Sequence, residues 1–178
     1  MNRIFVPNQY VASLRDVDPR SLMEVGIRGV LLDLDNTLVS WRRSDLDPNM
    51  EEWVARAIEA GLKLCIVSNT WRRSRIQNIA DQLHIPYILR AGKPRRGSLT
   101  RALEMVGTAP AETAVIGDQL FTDVVGGNRI GAYTILCVPM PGQEFFGTSI
   151  VRNFEKFLMK KLATKGMLSL PDESSEGK

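Results

Sequence analysis

The chain has 178 residues, 44% apolar and 24% charged, which fits one globular domain and leaves little room for a second. A net charge of +3 does not by itself mark a nucleic-acid binder. Two cysteines and one histidine exclude a disulfide scaffold, a His-rich metal centre and, unless His84 carries it, a serine triad.

In chain order, residues 1–25 form an N-terminal arm. The start MNRIFVPNQY lacks the basic-then-apolar layout of a signal peptide, and no apolar run approaches the roughly 18 residues of a membrane span. The expected location is therefore cytoplasmic. A core over 26–140 follows, in which short apolar runs at 29–34, 62–67, 87–89, 113–116 and 133–138 have the length and β-branching of buried strands. Cys65 and Cys137 lie in two of these runs and read as small core residues. Helical spacing separates the strands. Residues 48–60 place Met50, Trp53, Val54, Ala57 and Ile58 on one face, with Asp47 as cap, Pro48 in the first turn and Gly61 at the exit. Residues 72–83 repeat the spacing with Ile76, Ile79, Ala80 and Leu83, followed by His84 in a loop. Residues 97–106 do so with Leu99, Ala102, Leu103 and Val106, and a shorter helix runs from about 122 to 130, closed by Gly131. This alternation predicts an α/β fold, a three-layer Rossmann-like parallel sheet with helices on both faces.

In such a sheet, ligands bind beyond the carboxyl ends of the strands. The first strand, in GVLLDLDNTLV, delivers Asp33, Asp35 and Thr37. Two carboxylates this close are costly to bury unless a cation or a reaction requires them. The second strand end, LCIVSNT, delivers Ser68 and Asn69; the third is followed by GKP with Lys93; the fourth, AVIGDQLFTD, delivers Gly117, Asp118 and Asp123. Four consecutive strand ends carry groups suited to one phosphate and one divalent cation.

The set DLDNT at 33–37, SN at 68–69, KP at 93–94 and GDQLFTD at 117–123 resembles the haloacid dehalogenase-like (HAD) hydrolases, over about residues 29–138. GVLLDLDNTLVSW, GDQLFTDVVGGNRIGAYTILCVP and the preceding flank FVPNQYVASLRDVDP look like the YqeG branch of subfamily IIIA. That branch resembles the organellar phosphatidylglycerophosphate phosphatases. The resemblance implies a Mg²⁺-dependent phosphomonoester hydrolase with an aspartyl-phosphate intermediate. Asp33 is then the nucleophile, Asp35 the acid and base, and Lys93 a fixed positive charge. Ser68 and amides near Asn69 hold the phosphoryl oxygens. Mg²⁺ is held by Asp33, Asp118 and the backbone carbonyl of Asp35. Asp123 supports the metal site or holds Lys93, Thr37 steadies the turn with its hydroxyl, and Gly117 opens the fourth motif. An acid at 35 fits phosphate-ester hydrolysis.

About thirty residues separate Asp33 from Ser68, and fewer separate Ser68 from Lys93, too few for a folded cap domain. The site is expected to be open, favouring a phosphorylated substrate that brings its own bulk, such as a protein, a nucleic-acid end or a phospholipid head group. WRRS at 41–44, WRRSR at 71–75 and KPRR at 93–96 add arginines near the site, suited to a second phosphate, and Trp41 and Trp71 are placed either to rim its entrance or to pack at the loop roots. A basic amphipathic helix over 141–168 is fit either for an anionic bilayer, as a peripheral contact, or for packing on protein. The tail 169–178 is polar and reads as disordered. Phosphatidylglycerophosphate is the substrate this reading favours. The alternatives are a protein or nucleotide phosphatase, or a non-catalytic nucleic-acid or ribosome-associated binder. No recognised RNA motif is present, and nucleic acid is not the expected partner. The oligomeric state is left open.

Overall fold

The computed structural model describes residues 3–41, 45–140 and 163–164. Apart from 163–164, the expected basic helix and polar tail lie outside the described residues, as do residues 42–44.

Six strands form one parallel sheet: β1 (Gln9–Val11), β2 (Gly29–Leu32), β3 (Lys63–Val67), β4 (Tyr87–Ile88), β5 (Thr113–Gly117) and β6 (Tyr133–Cys137), in the order β1-β6-β5-β2-β3-β4. Among residues 3–140 the α-helices that accompany them are α1 (Pro19–Glu24), α2 (Pro48–Glu59), α3 (Arg73–Leu83), α4 (Arg96–Val106) and α5 (Val125–Ile130). Alternate residues of β2 point to opposite faces. Val30 and Leu32 join a core with Trp53, Val54, Ile76 and Ile79 of α2 and α3, whereas Leu31 joins Cys65, Leu99, Ala102 and Val106 beneath α4. The expected three layers are therefore present. Cys65 and Cys137 are free and buried, and burial pushes the Cys65 thiol up to about 12.

Local chemistry explains the element ends. Asp47 caps α2 by accepting from the Asn49 amide at 2.9 Å, and Pro48 fills the first turn. Gly107 and Gly131 close α4 and α5 in the left-handed conformation, and His84 does the same for α3. One residue departs from the expected apolar face of α2. Ile58 is 46% exposed because, at 100° per residue, it falls about 90° from the centre of the Met50–Trp53–Val54–Ala57 stripe.

Strand β1 is not anticipated by the sequence reading, since its three residues carry too little periodicity to register. It pairs in parallel with β6, Gln9 on Ile135. Asn8 reinforces the pairing: its Oδ1 accepts from the Thr134 amide at 2.8 Å. The Asn128 amide nitrogen donates to the carbonyls of Ile4 and Val6, and Phe5 meets Phe121 edge-on at 5.9 Å. Thus the N-terminal segment braces the turn that carries Asp123.

Trp53 is fully buried and its Nε1 donates to the Val17 carbonyl at 2.7 Å, tying α2 to the segment before α1. Trp53→Phe strands that carbonyl and should cost at least about 1 kcal/mol, read as a lower urea midpoint at unchanged slope.

Candidate active site

Strand register assembles the site. Leu32 pairs with Ile66 on β3 and with Ile116 on β5, so Asp33, Ser68 and Asp118 emerge from three adjacent strands at one end of the sheet. The ladder extends one residue further, through an Asp33 amide donating to the Ile116 carbonyl at 2.9 Å. Beyond it the chain reverses at Asn36, whose φ of 58° is left-handed. Backbone bonds close this turn: the Asn36 amide donates to Val39 at 2.8 Å, and the amides of Leu38 and Val39 donate to Leu34. Thr37 is buried, but its Oγ1 meets no hydrogen-bond partner among the described residues. The turn is therefore held by main chain, not by that hydroxyl as the sequence reading expects.

At the centre, Lys93 Nζ lies 2.7 Å from Asp33 Oδ1 and 2.6 Å from Asp123 Oδ1, with all three residues buried. The loop after β4 that presents Lys93 is pinned to the loop after β3. The Lys93 amide donates to Asn69 Oδ1 at 2.8 Å, and Asn69 Nδ2 donates back to the Lys93 carbonyl at 3.2 Å. Asn69 thus positions the Lys93 backbone. Asp123 sits in a single wide turn (Leu120–Val124) and also accepts from the Gln119 amide at 3.2 Å. Gly117 is what admits it, since a Cβ there would land inside the Asp123 carboxyl group. The glycine and second aspartate of GDQLFTD are therefore one packing unit. That turn also delays α5, which starts at Val125 and not near 122.

Burial pushes the Asp33 carboxyl well above its ordinary range, against the pull of Lys93 and with Asp123 and Asp118 adding to the rise. Burial pulls the Lys93 ammonium down, but Asp123 and then Asp33 more than offset this and hold it above its usual value. Carboxylate oxygens of Asp33, Asp118 and Asp123 all lie within 4.8 Å of one another. Ionised, these three face one ammonium, an excess of two negative charges in a buried place. Hard oxygen donors with such an excess fit a hard divalent cation. The expected set is Asp33, Asp118 and the backbone carbonyl of Asp35; Asp123 adds a third carboxylate to the cluster, and the Asp35 side chain is paired with Arg75.

Arg75 is a buried arginine in the first turn of α3. It is ion-paired to Asp35 Oδ1, and its other terminal nitrogen donates to the Ser40 carbonyl at 2.8 Å. It fixes the acidic side chain and the loop behind it together. The sequence reading sets the arginines of WRRSR beside the site for a second phosphate, although Arg75 lies four before Ile79 and eight before Leu83 and so on the apolar stripe. Ser68, also buried, accepts from the Thr70 amide at 3.1 Å through its Oγ. Asp33, Asp35, Ser68, Asn69 and Lys93 line one cleft of about 250 Å³, together with Trp41, Trp71, Arg72, Gln119 and Thr122. The crossovers on either side of β3 contain α2 and α3, and among the described residues neither adds a folded cap.

Gly117→Ala should displace Asp123 from Lys93 and destabilise the chain by about 1–3 kcal/mol, measured by urea denaturation. A midpoint like that of the parent would contradict the packing described above.

The family model described as HAD-hydrolase-like matches residues 90–138. "Probable phosphatase YqeG" of Bacillus subtilis (strain 168) is 38% identical over 166 residues, covering 93% of this chain and 96% of the relative. Phosphatidylglycerophosphate phosphatase 1, chloroplastic/mitochondrial, of Arabidopsis thaliana is 28% identical over 176 residues, covering 93% of this chain and 51% of that protein. Among solved structures, one described as a HAD superfamily (subfamily III A) hydrolase from Legionella pneumophila shares the fold at 15% identity and a TM-score of 0.51, covering 83% of this chain and 91% of that chain. With its four strand-end motifs gathered in one cleft and a relative of this similarity along nearly its whole length, the chain belongs to the HAD-like hydrolases and is a phosphatase of the YqeG kind.

Proposed function

We propose that this phosphatase removes the terminal phosphate of phosphatidylglycerophosphate, with Mg²⁺ as cofactor and an aspartyl-phosphate formed on Asp33. The observation that carries the reading is the buried Asp33 carboxylate, held by Lys93 within a cluster of three aspartates at an open cleft.

Mg²⁺, which Asp33, Asp118 and the backbone of Asp35 would hold with Asp123 alongside, supplies the charge neutralisation that lets two anions approach. Asp33 Oδ attacks phosphorus and the bond from phosphorus to the leaving oxygen breaks, transferring the phosphoryl group to the carboxylate. Asp35 gives a proton to the leaving alkoxide. It then takes one from water, whose oxygen attacks phosphorus; the acyl-phosphate bond breaks, phosphate departs and Asp33 is restored. Arg75 holds Asp35 in place through both halves. Lys93 steadies the Asp33 carboxylate before attack and opposes the charge that builds on the phosphoryl oxygens. Ser68 Oγ and the amides beside Asn69 cradle those oxygens.

The choice of lipid rests on two supports. The relatives that match most of this chain include proteins named for phosphatidylglycerophosphate hydrolysis. An uncapped cleft also admits a head group whose acyl chains stay outside. Such a reaction calls for a location at or near a membrane surface, and we assign the chain to the cytoplasmic side. No helix among the described residues is long and apolar enough to cross a membrane.

The direct assay is phosphate release from phosphatidylglycerophosphate in mixed micelles. Release should require Mg²⁺, stop on chelation, and fall by about a thousandfold or more in Asp33→Asn, equivalent to roughly 4 kcal/mol of transition-state stabilisation. Turnover of a generic aryl phosphate without release from the lipid would sink the substrate assignment and leave the mechanism.

A further inference from the structure

The floor of the cleft accounts for one phosphoryl group; its mouth carries positive charge that the chemistry above does not use. The Arg72 guanidinium lies over the Trp41 ring, 4.9 Å from its centroid, and donates to the Trp41 carbonyl at 3.4 Å. Arg90 lies over Trp71 at 4.2 Å. Trp41, Trp71 and Arg72 line the same cleft as Asp33 and Lys93. Trp71 is 73% exposed, so its ring is not there to fill the core.

Thr70 organises both pairs. Its hydroxyl accepts from the Arg72 amide at 3.3 Å, its carbonyl accepts from the Arg90 amide at 3.3 Å, and its own amide donates to Ser68 Oγ. Arg90 reaches this position in the left-handed conformation, at φ 53°, which costs a non-glycine residue some strain. One buried threonine therefore links Ser68, on the floor, to both arginines. A guanidinium stacked on an indole keeps its in-plane N–H edge for an anion, and ordering it beforehand lowers the entropic cost of binding. Among the described residues, neither arginine forms an ion pair with a carboxylate. The two segments that carry them, 69–80 and 84–103, contain no aspartate or glutamate.

We propose that Arg72 and Arg90 form a second anion subsite, which takes a phosphodiester of a substrate whose terminal phosphomonoester lies at Asp33. This rests on the phosphatase reading and adds a requirement to it: the preferred substrate carries two anionic phosphorus groups, one hydrolysed and one only bound. Among the described residues, Arg75 is paired with Asp35 and Lys93 with Asp33 and Asp123, which leaves Arg72 as the cleft-lining cation for this role.

The test compares soluble glycerophosphoglycerol phosphate, which has both groups, with p-nitrophenyl phosphate, which has one. Arg72→Gln, and separately Arg90→Gln, should raise KM for the first substrate at least about tenfold more than for the second, with kcat changing less than KM. Arg72→Lys should recover part of the loss. Calorimetry on the Asp33→Asn chain with Mg²⁺ and glycerophosphoglycerol, which carries the diester alone, should show binding weakened by a similar factor when Arg72→Gln is added. Equal KM changes for both substrates, or glycerophosphoglycerol binding indifferent to Arg72, would overturn the subsite. So would an effect confined to vesicle-bound substrate, which would make these arginines a membrane-facing patch. Arg72-dependent binding in a chain that hydrolyses neither substrate would instead overturn the phosphatase reading and leave the subsite standing.

Discussion

One ammonium group organises this molecule. Lys93 Nζ, presented beyond β4, bridges Asp33 at the end of β2 and Asp123 beyond the adjacent β5, and Asp118 completes a cluster that this ammonium does not neutralise. Burying such a set costs several kcal/mol per ion before its mutual attraction is counted. The surrounding residues bear on that cost in specific ways. Asn69 bonds the Lys93 backbone through both the oxygen and the nitrogen of its side-chain amide, Gly117 makes room for Asp123, and the Asp33 amide continues the β2–β5 ladder. The N-terminal segment presses Phe5 against the turn that carries Asp123. Stability at the carboxyl end of this sheet and readiness for chemistry are the same arrangement.

The cleft divides by charge. Its floor is acidic and buried, while its mouth is basic and aromatic. Asp35 stands between them, fixed by Arg75 from behind. Among the described residues no folded cap covers the cleft. Discrimination has to come from groups at the rim, and Thr70 ties the rim to the floor through Ser68. A substrate that is anionic at two points matches this layout better than one that is anionic at one.

Much of this was legible in the sequence because the parallel sheet converts order along the chain into place. Five buried runs of the right length implied the strands, and the polar residues just past them fell at one edge because register aligns strand ends. What escaped has physical reasons. Strand β1 is three residues long and is specified by Asn8 together with Thr134 and Asn128, which lie more than a hundred residues further along the chain. Arg75 was hidden among exposed arginines, although its spacing to Ile79 placed it on the inner face. The coupling of Gly117 to Asp123 lies in a side-chain contact across a wide turn, which spacing alone does not reveal. Thr37 shows the converse: a hydroxyl in a turn reads as a stabiliser, yet main-chain bonds hold the turn without it.

The central claim is that the carboxylate of Asp33 takes the phosphoryl group. Rapid acid quench during turnover, followed by borohydride reduction and peptide mass spectrometry, reads this directly, because reduction of an aspartyl-phosphate converts the residue to homoserine. The account predicts substrate-dependent homoserine at position 33, with positions 35, 118 and 123 unchanged. Full turnover with position 33 unmodified, or homoserine at position 35 instead, would contradict it.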